Sequence, residues 1–394
     1  GVSLRSSTRR SLLPMLDSAA RTQQEVLCLR DLRFVGSISE EAYCAEIVIG
    51  ITVRNQANHL PSALASALAQ SVVEEGRAVV LVLDDQSTDD WRERSRKHLS
   101  NPRLIVATGA CGTAARARNA LLDLVDDHFP RARWVARLDA DDCLASAESV
   151  AALCRAGEEA EARFVVGSNF LVVGGRRLGY ANIADPKVLQ NPRRLLALIE
   201  SFCFGDSEQE LPSCNLVLRC RSGVRYPDVR SAEDHWLVAQ LLFFSSEAGV
   251  VVPSPVYSTY SLGGAETHYN RRSAQWAIQR ERLARAAKTW VRVLESGVPI
   301  LGVGQEGIVW RESGEIVKEF YPWALDACTR QKIEALCETA CEAPIPVVVW
   351  CEADQGQIRC HYPAMKTYDV GLSLSEGRSE EHTSELQSPC NLVC

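Results

Sequence analysis

Three short apolar runs constrain this chain most: Ile47–Val53, Ala78–Leu83 and Trp134–Leu138 each end in polar or acidic residues, with helical patterns between them. Leu60, Leu64 and Leu68 recur at i, i+4 and i+8, and Pro61 falls in the first turn, where a missing N–H costs nothing. Asp89–Leu99 reads as a second helix, opened by the capping-type run Ser87-Thr88-Asp89, and Ala114–Val125 as a third. Leu104–Val106 is a short strand between them. Such alternation predicts an α/β fold with a mostly parallel sheet and helices on both faces. Further on, Arg163–Gly167 and Phe170–Val173 read as strands, Gly174-Gly175 as a turn and Trp276–Leu294 as a helix. A β-rich segment opens near Pro299. A linker is expected at Glu295–Val298, separating a domain at 46–294 from a smaller one at 299–377.

Two domains suit the length, because 394 residues exceed one ordinary core. No apolar run is long enough to span a bilayer. A net charge of −7 argues against a nucleic-acid partner. The 15 cysteines include no CxxC pair, and Cys337 and Cys341 sit one helical turn apart, so they are read as free thiols of a reducing cytosol. A cytoplasmic location is therefore expected, with room for peripheral contact at the inner face of the membrane. Residues 1–45 are an extension of unassigned role, in which Leu12–Leu32 has helical character. The chain opens on Gly1, so its start is expected to be missing or processed. Arg378-Ser-Glu-Glu-His-Thr-Ser-Glu-Leu-Gln-Ser388 reads as translated sequencing adapter. Residues 378–394 are accordingly kept out of fold reasoning, and the natural coding sequence is expected to diverge near Arg378.

In open parallel sheets ligands bind beyond the carboxyl ends of the strands. Here those ends read Thr52-Val53-Arg54-Asn55, Asp84-Asp85-Gln86-Ser87-Thr88-Asp89 and Asp139-Ala140-Asp141-Asp142. Carboxylates crowded on one rim repel unless a cation or donor groups lie between them. A hard divalent cation, Mg²⁺ or Mn²⁺, is the natural resolution. Arg116, Arg118 and Asn119 are expected at the same rim, where guanidinium groups suit a diphosphate or a nucleobase carbonyl. Each cluster also has a plain structural reading. Asp84–Asp89 could be a capping turn, Asp139–Asp142 a solvated turn, and Glu233-Asp234 first-turn charges on a helix.

Five segments in order nevertheless resemble the GT-A-fold, family 2 glycosyltransferases: Ile49–Asn55, Leu83–Asp89, Ala115–Asn119, Leu138–Asp142 and Ala232-Glu-Asp-His235. The resemblance implies a Rossmann-like sheet and an inverting transfer of sugar from a nucleotide-diphosphate donor to a glycan, lipid-linked or protein acceptor. It implies donor contacts at Thr52, Asn55, Asp85, Arg118 and Asp139. Asp141 and Asp142 fall at the metal, with Asp139 and Asp142 positioning donor sugar or ligating water. Asp234, preceded by Glu233, falls at the catalytic base. Arg54 departs from the pattern, where many relatives carry an aromatic, and His268 only loosely matches a later His-bearing stretch. Alternatives are an inactive nucleotide-sugar-binding scaffold and a nucleotidyltransferase. The latter usually opens with a Gly-rich, lysine-bearing phosphate loop, and Arg54–His59 is not one.

The string Gly302-Val-Gly304-Gln-Glu-Gly307-Ile-Val309 is followed by a Ser313-Gly314 turn and Ile316-Val-Lys318. This resembles the start of a protein-kinase-like fold, a small α+β N-lobe in which Gly-rich backbone covers ATP phosphates. That resemblance implies Gly302, Gly304, Gly307 and Lys318 at the ATP, and Glu334 as the partner of Lys318. No HRD-like or DFG-like string follows, so the lobe is expected to be truncated and inactive.

Overall fold

The computed structural model describes residues 32–36, 38–173, 176–205, 209–252, 258–261, 273–324, 350–354 and 357–363. The expected turn at Gly174-Gly175, His268, Glu334, Cys337, Cys341 and the adapter-like tail lie outside the described residues, as does all but the last residue of the Leu12–Leu32 segment. The chain divides into two units, with the boundary between Val291 and Arg292.

The first unit holds twelve described strands. In chain order they are β1 (Arg33–Phe34), β2 (Ile47–Val53), β3 (Ala78–Asp85), β4 (Leu104–Gly109), β5 (Trp134–Asp139), β6 (Cys143–Leu144), β7 (Phe164–Gly167), β8 (Asn169–Val173), β9 (Arg176–Asn182), β10 (Leu216–Arg219), β11 (Gly249–Val252) and β12 (Ser258–Ser261). Eight of them form one sheet in the order β1-β4-β3-β2-β5-β10-β7-β11. Strands β4, β3, β2 and β5 run parallel, and β10 runs antiparallel to both β5 and β7. The fold is α/β, with a large mixed, mostly parallel sheet. A second sheet follows the order β6-β12-β8-β9.

The two-residue period of β2 explains how both of its faces are covered. Ile47, Ile49, Ile51 and Val53 share a core with Leu60 and Leu64 of α1 (Leu60–Leu68). On the other face Gly50 meets α2 (Ala114–His128), which begins where the Thr113 hydroxyl accepts the Arg116 N–H at 3.2 Å. Leu153 of α3 (Ser149–Glu159) belongs to the same core as Ile49. α4 (Pro192–Phe204) starts on an Asn191 cap and stops at Gly205, whose φ of 86° suits a residue without Cβ. In α5 (Glu233–Phe244) every residue except Asp234 is buried, as expected of a helix apolar nearly all round.

Two expectations need correction. Asp89–Leu99 is not one helix but two single turns, Trp91–Arg94 and Arg96–Leu99, broken at the buried Ser95. Trp91 is the one buried residue of the two turns, so no apolar stripe holds them in line. The expected linker at Glu295–Val298 is partly helix, because α6 runs from Ala274 to Ser296. No helix among the described residues is long and apolar enough to cross a membrane.

The second unit carries an antiparallel sheet of β13 (Ile300–Val303), β14 (Gly307–Glu312), β15 (Glu315–Phe320), β16 (Trp350–Asp354) and β17 (Gln357–Pro363), ordered β13-β14-β15-β17-β16. A Cβ on Gly307 would lie 2.2 Å from the Glu319 carbonyl oxygen, so this position requires glycine.

The β2–α2 contact is equally close. A Cβ on Gly50 would sit 2.6 Å from Leu121 Cδ2. Gly50→Val is expected to cost about 1–3 kcal/mol in urea unfolding through overpacking. Leu121→Ala should cost less in that background than in the wild type, and strictly additive costs would show that the two side chains do not compete for one space.

Candidate active site

The parallel strands bring their polar ends to one rim. Thr52 pairs in register with Asp139 across β2 and β5, and Val53 with Asp84 across β2 and β3. The loops after β2 and β3 are then tied together. Asn55 accepts the Thr88 N–H at 2.7 Å, its own N–H donates to the Ser87 hydroxyl at 3.0 Å, and Asp89 accepts the Ala57 N–H at 2.7 Å. Asn55 and Gln86 both take φ near 54°, the left-handed region, and so does Ala232, with φ 61°, directly before α5. None of these three is glycine, so backbone strain collects around the rim.

Asp84 and Asp85 are both buried, and each has partners. Asp84 accepts from the Ser87 N–H, the Trp91 indole and Arg92 at 2.9–3.2 Å. Asp85, expected at a nucleobase or ribose, accepts the N–H groups of Cys111 at 2.6 Å and Gly112 at 3.1 Å, with Arg54 at 3.5 Å. It therefore fixes the loop leading into α2.

The centre of the site is a charge network around Arg137, on β5. Its guanidinium donates to Asp139 at 3.0 and 2.6 Å, to Asp234 Oδ2 at 3.3 Å from both terminal nitrogens, and to the Ser213 carbonyl at 2.8 Å. Arg118 spans Asp139, at 3.1 Å, and Glu233. Both guanidiniums lie against the ring of Tyr226, which Asn119 holds by bonds to its backbone N–H and carbonyl at 2.7 and 2.9 Å. Asp234 also accepts the Ser213 hydroxyl at 3.0 Å and the His235 N–H at 2.8 Å.

Burial alone would raise the carboxyls of this network. At Asp234 the nearby charges of His235, Arg137 and Arg118 win, and its pKa is held well below the usual carboxylate range. Burial also lowers the His235 pKa, so at neutral pH the two arginines carry that effect. Asp139 is lowered too, since Arg137 and Arg118 outweigh its burial. Glu233 goes the other way, because burial outweighs the attraction of Arg118.

Arg118 pairs with both Asp139 and Glu233. Arg116 pairs with Asp228 at 2.6 Å, and Asn119 serves Tyr226. Glu233 lies buried against Arg118, which makes it a support for that arginine. Sequence reasoning missed Arg137, Ser213 and Tyr226. The two-residue spacing of Arg137 and Asp139 on one strand was the available signal, since i and i+2 share a face.

Asp141 and Asp142 occupy the turn between β5 and β6, Asp141 half-buried and Asp142 buried. Among the described residues no three His, Cys, Asp or Glu side chains form a metal cage. Mg²⁺ and its analogues, however, are commonly held by one or two carboxylates, with phosphate oxygens and water completing the shell. Asp141 and Asp142 place two carboxylates on one turn, the oxygen-donor chemistry that such an ion takes. Burial pushes the thiols of Cys154, Cys203 and Cys220 up to about 12.

Residues 48–207 match the family model described as Glycosyl transferase family 2. The match covers less than half of the chain. The match takes in Thr52, Asn55, Asp85, Arg118, Asp139, Asp141 and Asp142, whereas Glu233 and Asp234 lie beyond it. No curated protein matches the chain. Among solved structures it is similar to TarS 1–349 of S. aureus in complex with UDP-GlcNAc, at 15% identity and TM-score 0.43, covering 62% of this chain and 72% of that one. It is similar to the mannosyltransferase PcManGT of Pyrobaculum calidifontis with GDP-Man and Mn²⁺, at 16% identity and TM-score 0.41, over 85% and 88% of the two chains. A third is glucosyl-3-phosphoglycerate synthase of Mycobacterium tuberculosis with Mn²⁺, UDP and phosphoglyceric acid, at 16% identity and TM-score 0.41, over 65% and 84%.

Removing Arg137 should expose the cost of the network. Arg137→Met is expected to lose about 2–3 kcal/mol in urea unfolding, less than a fully buried pair because both aspartates keep some solvent contact. The depressed Asp234 pKa contributes stability that is present above its unfolded value of 3.8 and lost as pH falls through the folded one. The stability gap between wild type and Asp234→Asn should therefore be widest above about pH 5 and narrow below about pH 3.8. A gap independent of pH would exclude an ionised Asp234 from the network.

Proposed function

We propose that the first unit is an inverting glycosyltransferase of GT-A type that moves sugar from a nucleotide-diphosphate donor to an acceptor hydroxyl. The observation that carries this reading is the gathering of Asp85, Asp139, the Asp141-Asp142 turn and Asp234 beyond the ends of β3 and β5 and at the start of α5, with Arg137 joined to both Asp139 and Asp234. Thr52 and Asn55 stand beside them on the loop side of β2, where a donor's base and ribose would lie.

The chemistry follows from Asp234. Its Oδ2 is fixed by Ser213 and Arg137 and its Oδ1 by the His235 N–H, so the carboxylate is held in one orientation at the first turn of α5. Held in its ionised form by the arginines beside it, it would accept a hydrogen bond from the incoming hydroxyl. It takes that proton late, as the new C–O bond forms and the bond from the anomeric carbon to the diphosphate oxygen breaks on the opposite face. Such base assistance is worth about 10²–10⁴ in rate. A divalent cation at Asp141 and Asp142 would offset the charge gathering on the departing diphosphate.

Thermal shift against nucleoside diphosphates and nucleotide sugars, with and without Mn²⁺, tests donor recognition, since a ligand specific for the folded state raises the melting temperature. One nucleotide should stand out, with a shift that grows in Mn²⁺. With that donor, Asp234→Asn is expected to retain the shift yet lose at least about 10²-fold in transfer. Equal loss of binding and transfer would remove Asp234 from the role of base. A shift with neither transfer nor donor hydrolysis would favour a nucleotide-sugar-binding scaffold.

For the second unit we infer a kinase-like N-lobe in which ATP phosphates would meet the Gly302–Gly307 segment. In its support, the second and third strands flank a tight turn, Gly307 is fixed by its contact with β15, and the buried Lys318 lies on the third strand, 3.6 Å from Glu306. The expected partner Glu334 is not among the described residues.

A further inference from the structure

Eight large apolar side chains are exposed among the described residues, and four of them lie in one stretch: Val173 at 37%, Leu178 at 64%, Tyr180 at 44% and Ile183 at 45%. They belong to β8, β9 and the residue after β9. β9 ends the order of its sheet, so its outer edge meets no strand among the described residues. A register shift around Leu178 bends the strand there, as a bulge at an edge does. An unpaired edge of this kind, bearing apolar groups, is a surface that needs a partner.

The charge along this segment is mostly positive. From Asn169 to Ile199 the cations are Arg176, Arg177, Lys187, Arg193 and Arg194, and the one carboxylate is Asp185, in a chain whose net charge is −7. Arg176 and Arg177 are exposed. The Arg177 guanidinium lies 3.6 Å from the centroid of the Phe170 ring, which in turn meets Tyr180 at 5.3 Å. This fixes a cation among apolar groups at the surface.

We propose that this β8–β9 edge docks on an anionic phospholipid bilayer, with Leu178 and Tyr180 entering the headgroup boundary and Arg176 and Arg177 pairing with lipid phosphates. Apolar side chains interleaved with arginines bind such an interface by burial and by attraction to anionic lipid together. A second copy of this chain would bring a cationic edge against a cationic edge. A soluble polyanion would gain nothing from Leu178 or Ile183. The position also serves the transferase reading, on which docking itself does not rest. β6 follows directly on Asp142, and β9 is three strand spacings away at about 4.8 Å each, so the bilayer would lie roughly 15 Å from the Asp141-Asp142 turn. An acceptor carried on a lipid could reach it.

Cosedimentation of the full chain with vesicles of phosphatidylcholine, alone or mixed with phosphatidylglycerol, tests the proposal without donor or activity. The chain is expected to pellet with the mixed vesicles only, and less so at high salt. Arg176→Ala with Arg177→Ala should weaken binding roughly tenfold or more, while Arg→Lys at both positions retains most of it. Leu178→Ser with Tyr180→Ser should weaken it comparably, with circular dichroism checking the fold of each exposed-site variant. The proposal is overturned if the wild type ignores both vesicles, or if the Lys variant binds as poorly as the Ala variant. It is also overturned if soluble polyphosphate binds as tightly as the vesicles and Leu178→Ser with Tyr180→Ser changes neither. A dimer in light scattering that these substitutions dissolve, without lipid binding, would assign the edge to a second copy instead.

Discussion

Arg137 places one guanidinium between two aspartates that come from distant parts of the chain, Asp139 on its own strand and Asp234 at the start of α5. Those carboxylates would repel each other and would resist burial alone. With Arg118 closing the other side onto Asp139 and Glu233, the two arginines turn a repulsive cluster into a bonded one. α5 can then bring its acidic first turn to the rim while burying the rest of its length. The orientation of Asp234, the stance of Tyr226 and the setting of β5 all depend on this arrangement.

The strain at the rim has the same logic. Asn55, Gln86 and Ala232 all lie in the left-handed region: Gln86 follows Asp85, Ala232 precedes Glu233 and Asp234, and Asn55 braces the Ser87-Thr88 loop. The hydrogen bonds of Asn55 and Asp89 and the packing of α5 over-determine those loops, which is the condition under which such conformers persist. A relaxed loop would let the carboxylates drift apart and would forfeit their shared position.

Much of this was legible in the sequence because it is periodic. The leucines of Leu60–Leu68 mark a helix face, and the apolar runs Ile47–Val53 and Trp134–Leu138 are too short and too continuous for anything but buried strands. The acidic strand ends were visible for the same reason. What stayed hidden was pairwise. Nothing in Ala136-Arg137-Leu138 says that this arginine will meet Asp234, nearly a hundred residues later, because that contact depends on β10 and α5 closing against β5. The pairing of Arg118 with Asp139 and Glu233 was equally hidden, because an arginine near an acidic rim suits phosphate and carboxylate alike. The left-handed residues were hidden because none is glycine. The break at Ser95 was hidden because burial of Trp91 alone overrides the helical pattern of Asp89–Leu99.

The electrostatics bear on when a metal is needed. From sequence, a divalent cation looks like the natural way to reconcile carboxylates from several strands at one rim. In the fold, Arg137, Arg118, Arg54 and Arg92 pair with Asp139, Asp234, Asp85 and Asp84, so these four carboxylates are held by the protein's own cations. On the transferase reading, a diphosphate brought beside Asp141 and Asp142 would add negative charge at that turn, and there a hard cation has its greatest effect. In the proposed reaction, then, the arginines hold the protein's own acids in place, and the metal answers to the substrate.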